Sequence, residues 1–83
     1  MYISRNELET IICVFNDDED RALQVEAENP VEMLNVIGPL EELAWQAEQA
    51  RDFECLSETL SLRNRIFDQL KLLLENNIHR YIN

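Results

Sequence analysis

A chain of 83 residues and 9.8 kDa has room for one small core, and a domain this size buries only about 60–65% of the surface its unfolded form exposes, so it gains from a partner. An apolar fraction of 46% excludes a disordered tail, and one glycine with two prolines excludes collagen-like or low-complexity chains. Seventeen acids against seven bases leave −10 at pH 7, which argues against free DNA or RNA as a ligand.

Helix punctuation begins at once. Ser4-Arg5-Asn6-Glu7 is a capping box, flanked by Ile3 and Leu8 at the hydrophobic-staple positions. Leu8, Ile11, Ile12 and Phe15 follow at helical spacing and predict a helix over about 5–16. The acidic run Asp17-Asp18-Glu19-Asp20 comes next, with Asp17 placed to cap a second helix and the later acids suited to its positive end. Residues 21–28 read two ways. Ala22, Leu23 and Ala27 suit a helix, whereas Leu23, Val25 and Ala27 alternate with Gln24, Glu26 and Glu28 as in a strand. The competitor to a helix is therefore a hairpin pairing 10–16 with 21–27.

Asn29-Pro30 is a cap followed by proline at the first helical position. Gly38-Pro39 is expected to break or kink that helix, with Pro39 able to begin the next. Beyond Pro39 there is no further Gly or Pro. One apolar stripe runs Leu40, Leu43, Ala44, Ala47, Ala50. A second runs Phe53, Leu56, Leu60, Arg63, Phe67, Leu70, Leu74, Asn77, Tyr81 in steps of three and four. The two are out of phase, which predicts a tight turn at Arg51-Asp52, with Asp52 capping a last helix over about 53–80. That helix outreaches its neighbour. Its seam of Phe53, Leu56, Leu60, Arg63, Phe67, Leu70, Leu74 and Tyr81 is expected to be covered by the N-terminal helices or by a second molecule, so a homodimer is expected.

Charge is uneven along the chain. Residues 1–54 hold fourteen acids and three bases, and residues 55–83 hold three acids and four bases. The acids could in principle bind metal, but Asp17–Asp20 lack the alternate spacing, glycine and twelfth-position Glu of a calcium loop. Glu41, Glu42, Glu48, Asp52, Glu54 and Glu58 likewise lack the paired spacings of a two-metal hydrolase, which is carried only as a distant alternative. His79, the one histidine, reads as a surface residue near a helix end. Cys13 and Cys55 form no metal or redox spacing and read as two small buried residues of a reduced protein. With no signal-peptide pattern and no membrane-length apolar run, a soluble cytoplasmic protein is expected.

Ala44-Trp45, the segment Ala50-Arg51-Asp52-Phe53-Glu54-Cys55-Leu56, and then Leu60, Arg63, Ile66-Phe67 and Leu70 resemble the helical hairpin of small flagellar and type III secretion chaperones. There an Asp–aromatic–acid step opens a helix with a later Arg. The likeness covers a third of the chain.

The fold expected is all-α, a three- to four-helix bundle with a Pro-kinked middle helix and a long C-terminal helix; the alternative is α+β, with an N-terminal hairpin on two C-terminal helices. The function expected is that of a non-enzymatic acidic protein that binds a basic surface on a protein partner. It would inhibit or regulate nucleic-acid-handling machinery in the manner of small phage- or plasmid-encoded inhibitors, without touching nucleic acid or membrane. The binding residues expected are Asp17, Asp18, Glu19, Asp20, Glu26, Glu28, Glu41, Glu42 and Trp45, with no catalytic residue, metal or cofactor. The alternative is a helical chaperone or adaptor that takes an amphipathic client helix on its uncovered seam.

Overall fold

Capping side chains fix where each helix begins. The computed structural model describes the backbone of residues 1–82 and the side chains of residues 1–76. Its four helices are α1 (Arg5–Val14), α2 (Glu19–Glu26), α3 (Pro30–Gln49) and α4 (Phe53–Ile82). Ser4 Oγ accepts the Glu7 amide at 3.3 Å, and the Glu7 carboxylate accepts the Ser4 amide at 3.2 Å. Asn29 Oδ1 accepts the amides of Val31 and Glu32, and Asp52 Oδ1 accepts that of Cys55. The cap of α2 is Asp18, which accepts the Arg21 amide at 3.2 Å, and not Asp17 as the sequence suggests. Asp17 is displaced from that role because it belongs to the end of the preceding helix.

The first three helices end alike. Asn16, Glu28 and Arg51 take the left-handed conformation at φ 57°, 66° and 57°. In each case that residue and the next donate their amides back to the last turn, as Arg51 does to Glu48 O (3.1 Å) and Asp52 to Ala47 O (2.9 Å). At the last two junctions the second of these residues is also the next helix's cap, so Glu28-Asn29 and Arg51-Asp52 each close one helix and open another. Non-glycine residues in this region are strained. Arg51→Gly should therefore stabilise the chain by about 1 kcal/mol, read as a higher urea midpoint at unchanged slope.

The hairpin does not form: among the described residues there is no strand. Ile11 and Phe15 are buried one turn apart, as are Ala22 and Val25, so both segments hide a helical face. Of the break or kink expected at Gly38-Pro39 the break does not form, and α3 runs through Pro39. Gly38 has no Cβ to crowd the proline ring, and Met33, Val36 and Ile37 before Pro39 are buried on the same side as Leu40, Ala44 and Ala47 after it. Packing of that continuous face outweighs the one lost backbone hydrogen bond.

The core joins Ile3, Ile11 and Phe15 with Ala22 and Val25, the α3 row, and Leu62, Ile66 and Leu70 from α4. Here α4 departs from its predicted seam. Of that row Leu70 is buried and Leu56, Leu60 and Arg63 are half-buried, while Phe53, Phe67 and Leu74 are exposed; Tyr81 lies outside the described side chains. The inward row is Thr59, Leu62, Ile66 and Leu70, turned roughly a quarter of the way around the helix. Arg63 sits at the core edge and pairs with Glu41 across α3 and α4 at 3.6 Å.

The cysteines also differ from expectation, since Cys13 is exposed and Cys55 half-buried. At about 45 Å, α4 accounts for the 49 Å long dimension, and the 30 Å α3 covers two-thirds of it. Among the described residues no helix is long and apolar enough to cross a membrane.

Candidate functional site

The turn between α1 and α2 lifts its side chains outward. Asp17 is left-handed, Asp18 is held as a cap, and Glu19 and Asp20 occupy the first turn of α2; all four are exposed. The fold brings this turn to the middle of α3. Cys13, Val14 and Asn16 line one shallow depression with Pro39, Glu42, Leu43 and Gln46, so the acids follow directly on a segment that abuts Glu42. One helical turn beyond Glu41 and Glu42, on the same face, stands Trp45, with 60% of its surface exposed. Glu42 thus stands between the segment that leads into Asp17–Asp20 and the outer face of α3 that carries Trp45.

Two of the other predicted binding residues are paired within the chain. Glu28 pairs with the Met1 ammonium, and Glu41 with Arg63. Glu26 is half-buried at the far end of α2. Arg21 anchors the region from below, paired with Glu32 at 2.9 Å and stacked 4.3 Å from the Phe15 ring. That ties α1, α2 and α3 together beneath the acidic turn. Among the described residues Asp17, Asp18, Glu19, Asp20 and Glu42 form no ion pair.

Two neighbours escaped the sequence reading. Val31 and Leu34 are exposed on the outer side of α3, in helical register with Trp45 through Gly38. A Cβ at Gly38 would meet nothing within 4 Å, so the strip from Leu34 to Trp45 is open and low. The 3/4 spacing of 31, 34, 38, 41 and 45 carries the signal, but the stronger Leu/Ala stripe of the inner face masks it in the sequence.

A second groove of about 490 Å³ lies between α1 and α4. Ser4, Thr10, Ser57, Thr59 and Ser61 supply its hydroxyls and Asn6 its amide, and its one cation, Arg65, is already paired with Glu7 and with the Tyr2 carbonyl. Among the described residues no three His, Cys, Asp or Glu side chains converge as a metal site would require. No protein-family model, curated protein or solved structure matches the chain, so function is read from its own residues.

Proposed function

We propose that this chain is a binding protein, without catalytic activity, that occupies a basic surface on a protein partner. The observation that carries the reading is the run Asp17–Asp20, exposed and without an ion-pair partner among the described residues, which follows directly on a segment abutting Glu42, with a largely exposed Trp45 one turn beyond Glu42 on α3. The two parts divide the work. Exposed carboxylates add little affinity pair by pair but draw in a cationic surface and select it over neutral ones. Affinity comes from desolvating a large aromatic side chain, and Trp45 with Leu34 and Val31 supplies that anchor. A partner surface built to hold a phosphate backbone offers the matching charge, so the chain would compete with nucleic acid for it. Inhibition of nucleic-acid-handling machinery is the setting this chemistry fits.

The test is affinity capture from lysate at low and at molar salt, with the retained proteins identified. Proteins of basic surface that leave the resin as salt rises are the expected result. A partner held equally at both ionic strengths would refute the acidic mode of binding.

A further inference from the structure

We propose that α4 packs against α4 of a second copy of this chain, antiparallel, through Phe53, Leu60, Phe67 and Leu74. These four recur every seven residues, the period of a helix–helix seam. They are not consumed by the fold, because α4 turns Leu62, Ile66 and Leu70 inward instead. Phe53 is left 65% exposed, Phe67 43% and Leu74 51%, with Leu60 half-buried between them. The helix therefore carries two seams and the chain fills one.

Charge selects the occupant. The protein as a whole is −10, yet from Phe53 to Glu75 α4 holds four acids against three bases. It is the part of the molecule where two copies meet with least repulsion, and the part with least attraction for a basic partner, which the acidic turn draws elsewhere. Charge also sets the direction. With Phe53 opposite Leu74 of the second copy and Leu60 opposite its Phe67, Lys71 comes level with Leu56 of that copy. It is then within one turn of Glu54 on the same flank, and the two-fold axis repeats the pair. A parallel arrangement would leave Lys71 and Glu54 of the other copy about 25 Å apart along the helix, so the pair would not form. Arg63 lies near the axis in both copies, and its pairing with Glu41 at 3.6 Å offsets that repulsion. A two-fold contact of this kind uses the same patch on both copies and closes at two.

Light scattering and sedimentation equilibrium from micromolar to millimolar concentration test it. The wild-type chain should approach twice 9.8 kDa, and Phe67→Asp should stay at 9.8 kDa with its helical circular dichroism intact. Leu74→Asp, near the end of the described side chains, is the second variant should Phe67→Asp lose helicity. Lys71→Glu and Glu54→Lys should each weaken association several-fold, and the two together should restore it. A monomer at every concentration, a dimer that survives both Asp variants, or a dimer broken instead by Leu34→Asp would overturn the proposal. So would a monomer that takes up only a foreign helix on this row. Failure of the charge swap to restore association would overturn the antiparallel direction. None of these outcomes bears on the acidic turn, which is tested with a basic partner.

Discussion

Ile66→Ala is expected to cost about 2–5 kcal/mol and Phe67→Ala under about 1, measured by urea unfolding at concentrations too low for self-association. Adjacent residues of similar apolar character differ this much because of where α4 places them. Ile66 is fully buried among the α3 and α4 core residues, so truncation leaves a cavity as well as losing transfer free energy. Phe67 is 43% exposed, and part of its ring is already in water. A chain of this length holds about 4–12 kcal/mol of stability at the usual value per residue, so Ile66→Ala removes a large share of it. Equal costs for the two, or a larger one for Phe67, would mean that α4 buries the other row.

A kinetic division is the second large effect expected. Replacing Asp17, Glu19 and Asp20 together by their amides should slow association with a basic protein partner about tenfold or more at low salt, while changing dissociation little. Asp18 is left in place because its carboxylate caps α2, and its loss would disturb the turn itself. Trp45→Ala should do the opposite, speeding dissociation and leaving the association rate nearly unchanged. Surface plasmon resonance with a captured partner separates the two. If the triple amide variant acts chiefly on dissociation, the carboxylates are contact residues and not a steering field. If Trp45→Ala has no effect, the anchor lies elsewhere on α3.

Much of the local structure was legible in the residues. The Ser4–Glu7 box, Asn29-Pro30 and Asp52 each marked a helix start, because a cap is a hydrogen bond between a side chain and an amide two or three residues on and needs no tertiary partner. The cap at Asp17 was misplaced by one for the same reason of locality. Four acids in a row offer several equivalent acceptors, and only the closure of α1 at Asn16 and Asp17 chooses among them. The proposed binding region was half legible. Residue type singled out Asp17–Asp20, Glu42 and Trp45, but nothing local could tell that Glu28 would meet the Met1 ammonium or Glu41 the Arg63 guanidinium. Those pairings depend on which helices lie side by side.

The sequence alone determined the starts and caps of α1, α3 and α4 and the concentration of acid ahead of α4, since each follows from contacts a few residues apart or from composition, whereas the helical state of 21–28 and the cap of α2 did not. Tertiary structure decided which face of α4 goes inward. Leu56, Leu60, Leu62, Ile66, Phe67, Leu70, Leu72, Leu73 and Leu74 spread apolar surface around most of that helix, so periodicity admits both the 62–66–70 row and the 53–60–67–74 row. The choice falls to the path of the chain through Arg51-Asp52, which sets the rotation of α4 against the already buried face of α3. The same geometry kept α3 whole through Pro39, where a local rule favours a break and a continuous packed face overrides it.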